Sequence, residues 1–331
     1  MKRFDVICLG EVLVDLISQE PGKRLADVAL FRKFAGGAPA NVAIGLAKLG
    51  CTVAFAGKIG NDSFGSFLKN YLERNGVDIG ALIPDPEHRT RLAFVEIAEN
   101  GERDFEFSEK IPADSALSAE DFSMETLNSA RIVHLGSLPL TAVTGRRVFR
   151  QLINRLDSER SLTSFDPNYR PSLWQSPGAA KKILRSFAKQ CRILKMNLEE
   201  AAFLSDSQKT VTMLKDLFFP KTHLLAITLG AQGCILKNRR GVVEVPGFRV
   251  DVADSTGCGD AFLSGLLACL IRAKKAPEDL NADELFAFGQ MSNAVAALTA
   301  TRFGATDALP TNNELDIFIN RCNLEKEVIS K

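Results

Sequence analysis

Residues 254–270 read DSTGCGDAFLSGLLACL, with two glycines and an aspartate set directly before an almost wholly apolar run. That run, interrupted only by Ser264 and Gly265, has the pattern of a buried helix. The residues before it then occupy a helix N-terminus, where unpaired backbone N–H groups point outward. Gly257 and Gly259 leave this backbone open to close approach, so the turn suits an anion. Asp260 is itself an anion, and two explanations of its place stand open. An aspartate at a helix start is commonly a cap. Alternatively, Gly257, Cys258 and Gly259 hold a transferring phosphoryl group through their N–H groups, while Asp260 orients the attacking hydroxyl and accepts its proton. In that second reading the helix dipole keeps the carboxylate ionised and a modest base.

Outward from this stretch the chain alternates strand-like and helix-like segments. FDVICLG (4–10), CTVAFAGKIG (51–60), RIVHLGS (131–137), SLTSFDPN (161–168), CRILKMN (191–197) and HLLAITLG (223–230) read as strands. Helices are expected between them at 37–50, with Pro39 in its first turn and Gly50 at its end, and at 64–76, 142–157, 178–189, 198–205 and 209–218. A second apolar helix covers 284–301. The alternation predicts an α/β fold with a parallel sheet and helices on both faces, whose strand C-termini open into a ligand crevice. Asp166, Asn168, Asn197 and Gly230 fall at such ends. Residues 12–35 and 90–110 read instead as short strands and turns, the second a hairpin about Glu99-Asn100-Gly101. They are expected to form a small β-sheet lid over a domain made of 1–11, 36–89 and 111–331.

Composition narrows the function. The 331 residues are 46% hydrophobic and 24% charged, as in ordinary soluble proteins. With 41 basic and 40 acidic residues the net charge is +1, which argues against nucleic acid or an anionic membrane as the main partner. Apolar runs are too short or too interrupted to span a bilayer. The N-terminus, broken by Asp5, Glu11 and Asp15, reads as a first strand and not a secretory segment. Seven cysteines without a CxxC pair suggest reduced thiols in a cytoplasmic protein, with neither a disulfide scaffold nor structural zinc. Cys258 stands apart, because a thiol at a glycine-rich helix start is either activated or merely space-filling.

No GxxxxGK[ST] loop, no GxGxxG after the first strand and no HRD/DFG set is present, so P-loop, dinucleotide and protein-kinase readings lack support. AGGAPANVAIGLAKLG (35–50) and DSTGCGDAF (254–262) together resemble the two signatures of the pfkB, or ribokinase-like, carbohydrate kinases. An N-terminal GE(x)3D, NLEE (197–200), TLGAQG (228–233) and a C-terminal GA(x)nP support the resemblance, in order along essentially the whole chain. It implies a ribokinase-like three-layer αβα fold with a central mostly parallel sheet and a β-sheet lid. It also implies transfer of the γ-phosphoryl group of ATP to a sugar or nucleoside hydroxyl, with Mg2+ and often a monovalent cation such as K+.

Carried onto these residues, the resemblance makes Asp260 the base and Gly257, Cys258 and Gly259 the anion hole. Asp15, Gly36, Gly37 and Asn41 would bind the sugar, since a carboxylate and an amide bond vicinal hydroxyls directionally and glycines expose backbone. Plain solvent exposure is the other reading of Asp15. Asn197 and Glu200 match an NxxE element that organises the magnesium–phosphate water network, though both are equally helix-capping residues. Thr228, Gly230 and Gly233 resemble the nucleotide loop. Asn293 would lie beside adenine or pack helices as a buried amide. Asp254, Thr256 and the loop Arg302–Gly304 would hold the monovalent cation. Cys258 departs from the family's usual alanine; only its N–H is needed, but its thiol adds a prospect of sensitivity to oxidation.

FDPNYRPSLW (165–174) resembles the DPNxRxxLW of the fructokinase and 2-keto-3-deoxygluconate kinase branches, and GERDFEF (101–107) resembles a fructokinase hairpin. Arg170 is then expected to meet ligand or phosphate, oriented by Asp166 through a bidentate pair. A turn cap and a surface cation are the alternative. Phe94, Phe105 and Phe107 alternate on the hairpin, either to press a sugar ring or to build a packed sheet face. Arg89 and Arg103 reach the substrate or line a solvated rim, and Trp174 packs. No tight cationic cluster for a sugar acid is evident. Fructose, phosphorylated to fructose 6-phosphate, therefore comes first, ahead of 2-keto-3-deoxygluconate and aminoimidazole riboside or another nucleoside. A sugar-binding protein without turnover is the remote alternative, and a homodimer through the lid fits the family.

Overall fold

The computed structural model describes residues 4–98, 103–157 and 160–329, with side chains except at 103–104 and 323–329. The expected turn at Glu99-Asn100-Gly101 and the side chain of Arg103 lie outside these. The chain begins with β1 (Phe4–Leu9), β2 (Leu13–Ser18), β3 (Phe31–Gly36), α1 (Ala38–Lys48), β4 (Val53–Gly60), α2 (Ser63–Arg74) and β5 (Asp78–Asp85). It continues through β6 (Leu92–Ile97), β7 (Arg103–Phe107), α3 (Met124–Asn128), β8 (Ala130–Leu135), α4 (Val143–Arg155) and β9 (Leu162–Phe165). There follow α5 (Pro177–Ala188), β10 (Ile193–Asn197), α6 (Leu198–Ser205), α7 (Thr210–Asp216) and β11 (Leu224–Thr228). The last part holds β12 (Gly233–Lys237), β13 (Val242–Pro246), α8 (Cys258–Ala273), α9 (Ala282–Ala300) and α10 (Asn312–Ile329). No helix among the described residues is long and apolar enough to cross a membrane.

Nine strands form one sheet in the order β13-β12-β11-β10-β9-β8-β1-β4-β5. The seven from β11 to β5 pair in parallel, and the β12–β13 hairpin adds an antiparallel edge. β1 reads FDVICL and is nearly all buried, as a strand covered on both faces must be. One apolar layer packs α1, α8 and α9 on the sheet through Leu46, Leu266 and Leu285. A second layer, on the other face, packs α4 and α5 through Phe149, Leu152 and Leu184. The result is the expected ribokinase-like three-layer α/β fold. Because β4 and β8 flank β1, the strand order reverses there, and strand ends leave a crevice at such a point.

The second sheet, ordered β3-β2-β6-β7, is built from the two segments that fit the alternation poorly. Cross-strand partners share a face. Asp15 pairs with Ala93, Ala93 with Phe107, and Val95 with Phe105, so Asp15, Phe105 and Phe107 look the same way. Leu13, Leu138 and Leu173 pack with these phenylalanines, placing this face over the strand ends of the large sheet. Phe94 pairs with Glu106 on the opposite face and meets Phe31 edge to face at 5.6 Å. The expectation that Phe94 joins Phe105 and Phe107 against one ring is therefore corrected: β6 runs antiparallel to β7, and the register puts Phe94 opposite an outward residue.

Where the second sheet joins the first, Arg91 forms a bidentate pair with Asp114, Nε to Oδ2 and Nη2 to Oδ1, each 2.7 Å. Arg91 also donates to Ser115 Oγ at 2.8 Å. The two side chains are only 4% and 1% exposed, so removing one strands the other charge in the interior. Arg91→Leu is expected to destabilise the protein by about 3 kcal/mol or more in urea unfolding. A loss under about 1 kcal/mol, the range of a surface pair, would show that the junction does not depend on this bond.

Candidate active site

The site begins with the close crossing of α1 and α8. A Cβ on Gly45 would lie 2.6 Å from Ser264 Oγ, so the two helices touch where the sequence supplies a glycine and a small hydroxyl. Residues four apart share a helix face, which brings Asn41, one turn before Gly45, to Asp260, one turn before Ser264. Asn41 Nδ2 donates to Asp260 Oδ2 at 2.8 Å. Asn41 is buried, and its Oδ1 has no partner among the described residues. An acceptor so placed needs a hydroxyl or water to satisfy it.

Gly257 caps α8 at φ +76°, in the left-handed region, and makes no side-chain capping bond. In the first turn of α8, Cys258 N donates to Ser255 O at a long 3.3 Å, and the N–H groups of Gly259 and Asp260 precede the bond from Ala261 N to Gly257 O at 2.8 Å. Asp260 accepts from Asn41 and not from its own helix start, so the cap explanation is not the one observed. Its carboxyl is partly open to the cleft yet closely surrounded by protein. Burial pushes its pKa up to about 6, against the lowering pull of Lys195 and the Asn41 bond. The carboxylate is therefore still ionised at neutral pH, as expected, but desolvation makes it a stronger base than an exposed aspartate.

Beneath the turn, Asp166 follows β9 and accepts from Lys195 Nζ of β10 at 2.7 Å, with both side chains buried. The expected bidentate pair of Asp166 with Arg170 is therefore corrected. Adjacent parallel strands put Asp166 and Lys195 side by side, whereas the chain turns away through Asn168 at φ +37°. Arg170 faces the second sheet, its guanidinium 5.9 Å from the Phe105 ring centre, and its charge acts on Asp260. Glu200 closes a capping box on α6, exchanging bonds with Asn197 of 2.8 and 2.9 Å. Its other oxygen accepts from Tyr169 N at 2.7 Å. Burial and neighbouring Asp166 raise its pKa. With both oxygens engaged, Glu200 fits a hydrated magnesium only through water, and no cluster of three metal-ligating side chains occurs among the described residues.

On the other side of Gly259 opens a cavity of about 390 Å³, lined by Thr228, Gly230, Gly233, Phe248, Cys258 and Asn293 among others. Asn293 does not present its amide freely: Nδ2 donates to the carbonyls of Val245 and Pro246 at 3.2 and 3.1 Å. The packing-amide reading describes these bonds. The Cys258 thiol is pushed up to about 12 by burial and the nearby Asp254 and Asp260, so it is not activated. Asp254 accepts from Thr256 N at 2.9 Å and Gly304 N at 3.2 Å, joining the turn before α8 to the 302–304 loop. On the crevice side, a Cβ on Gly36 would fall 2.2 Å from Asp15 Oδ2, and one on Gly37, at φ +103°, 2.6 Å from Glu11 O. Gly36 thus leaves room for the Asp15 carboxylate, and Gly37 for the close approach of the Glu11–Val12 backbone.

Lys195 and Glu11 are what the sequence reading passed over. A lysine inside ILKMN, a strand otherwise apolar, was the available signal. Glu11 is buried behind the crevice with Oε2 unpartnered, and burial pushes its pKa up to about 8. Its signal was an acidic residue directly after a central strand.

Comparison with known proteins accords with this geometry. The model of the pfkB family carbohydrate kinases matches residues 3–312. Fructokinase-1 of Zea mays is 38% identical over 94% of this chain and 96% of its own. A fructokinase with bound ATP from Xylella fastidiosa superposes with a TM-score of 0.88 at 30% identity, covering 96% of this chain and 98% of that one. A double mutant of fructokinase from Vibrio cholerae O395, in fructose, ADP and potassium ion bound form, gives a TM-score of 0.83 at 31% identity, covering 95% and 97%.

Proposed function

Because the chain belongs to the pfkB family of carbohydrate kinases, we propose that it transfers the γ-phosphoryl group of ATP to fructose, giving fructose 6-phosphate and ADP. The observation that carries the reading is the place of Asp260. It stands at the start of α8, tethered by Asn41, between the Asp15 crevice and the cavity lined by Thr228 and Gly230. A donor nucleotide in the cavity and a sugar in the crevice would meet at this carboxylate.

In the proposed reaction the sugar hydroxyl, oriented by Asp15 and by the free acceptor of Asn41, attacks the γ-phosphorus as its bond to the β-phosphate oxygen breaks. Asp260 takes the hydroxyl proton, and ADP leaves with the bond's electron pair. Backbone N–H groups of Gly257, Cys258 and Gly259 bind the oxygens where charge builds up. Asn197 and Glu200 would hold the water shell of a magnesium ion, which would supply positive charge to the phosphates. A monovalent cation at Asp254, Thr256 and Gly304 would fix the shape of the turn. The second sheet closes on the sugar through Phe105, and Arg170 steadies the phosphate side.

The choice of fructose is supported by the relatives' names, and Arg170 and Lys195 are the cations that act on Asp260. ADP release measured with ATP and magnesium over fructose, ribose, 2-keto-3-deoxygluconate, adenosine and aminoimidazole riboside tests it. The expected outcome is a kcat/KM for fructose at least tenfold above the others, about 1.4 kcal/mol of discrimination. Preference for the keto acid would move Arg170 into a carboxylate-binding role and overturn the choice of fructose. No turnover with any sugar would overturn the kinase reading.

A further inference from the structure

We propose that Lys195 is a further catalytic residue, whose ammonium binds the transferring phosphoryl group from beneath the α8 turn; this rests on the sugar-kinase reading above. The placement is tight. A Cβ on Gly259 would come within 2.8 Å of Lys195 Nζ, so the glycine lets the ammonium lie directly against the start of α8. An ammonium has three donors. Lys195 gives one to Asp166 at 2.7 Å, and no second acceptor among the described residues takes another. Its remaining N–H groups are available to an incoming anion beside Gly259, at the start of α8.

The strand itself does not call for a charge here. Ile193, Leu194 and Met196 are fully buried, and an apolar residue at 195 would match the pattern without the desolvation cost of a lysine. Burial works against the ammonium, but Asp166, Glu200 and Asp260 together hold its pKa above the ordinary value. Lys195 therefore remains a cation throughout and is not a proton carrier. Its role is charge: it offsets the negative charge that spreads over the phosphoryl oxygens as the new P–O bond forms and the bond to ADP breaks. The proton still goes to Asp260. A lysine serving only as the countercharge of Asp166 would be dispensable once Asp166 were neutral, and this separates the two roles.

The experiment compares the whole enzyme with Lys195→Met and with the double variant Lys195→Met/Asp166→Asn, which removes both charges together and protects against misfolding from a stranded carboxylate. Readouts are kcat, the KM for fructose, and the affinities for ATP and ADP with magnesium. The expected kcat loss is about 100-fold in both variants, the scale of one donor at an oxyanion site. KM for fructose should stay within roughly threefold, because the ammonium touches the phosphoryl group and not the sugar. Affinity for ATP should fall about tenfold while that for ADP holds, since ADP lacks the group Lys195 touches. Recovery of kcat in the double variant, or equal weakening for ATP and ADP, overturns the proposal and leaves Lys195 a countercharge. If the wild-type enzyme turned over no sugar, the kinase reading would fail on its own, and the ATP-against-ADP comparison would still decide Lys195.

Discussion

Asp260→Asn is expected to lower kcat for fructose by about 10³-fold or more, while fructose and magnesium nucleotide still bind. Asparagine keeps an oxygen for the Asn41 amide but cannot accept the sugar's proton. The pH profile supplies an independent readout. Burial pushes Asp260 up to about 6, so the base is ionised at neutral pH and becomes protonated below that value. In the wild type, kcat/KM should be level above about pH 7 and fall about tenfold per unit well below 6. The asparagine variant should lose this limb and be flat at its low level. An acid limb unchanged in the variant would assign the ionisation to another group. The same shift acts on stability with the opposite sense. A carboxyl that binds its proton more tightly in the folded state stabilises the fold fully below its unfolded pKa. That contribution disappears as pH rises from about 4 to about 6. Asp260→Asn should therefore raise the melting temperature at pH 7, as expected of a group held in place for chemistry and against stability.

Gly257→Ala should cost nearly as much by another route. The residue sits at φ +76°, and its added Cβ would lie 2.9 Å from the Ala305 Cβ and 3.0 Å from its Cα. Neither contact is with the end of a flexible side chain, so the backbone turn must move. The left-handed conformation alone costs an alanine about 1–2 kcal/mol. The larger effect is on aim, since a displacement near 1 Å in donors that must meet the phosphoryl oxygens costs about 100-fold in rate. The expected result is a kcat reduced about 100-fold with a melting temperature only a few degrees lower. Full activity in this variant would remove the turn from the anion-binding role.

What the sequence disclosed, and what it withheld, follows physical lines. The parallel strands were legible because a strand buried on both faces reads as an unbroken apolar run, as in FDVICL and ILKMN. The glycines of 254–262 were legible because few residue types tolerate their backbone. β5 and the β12–β13 hairpin were less so, since half-exposed edge strands such as DIGALIPD and VVEVP carry weak periodicity. Pairings between distant segments were hidden. Asp166 was assigned to Arg170, four residues on, because nearness in sequence was the available guide; its partner Lys195 is adjacent only in the folded sheet. The pKa of Asp260 escaped for a related reason. A helix dipole can be read from sequence, whereas the protein that packs around a carboxyl and strips its water cannot. Phe94 was misplaced because alternation along one strand leaves the cross-strand register undetermined.

The bond between Asn41 and Asp260 spans 219 residues of chain. During synthesis the first half emerges with Asn41 lacking its partner, and α8 must leave the ribosome and dock before the bond can form. The bond is thus a mark of completed folding, present only once distant parts of the chain have found each other.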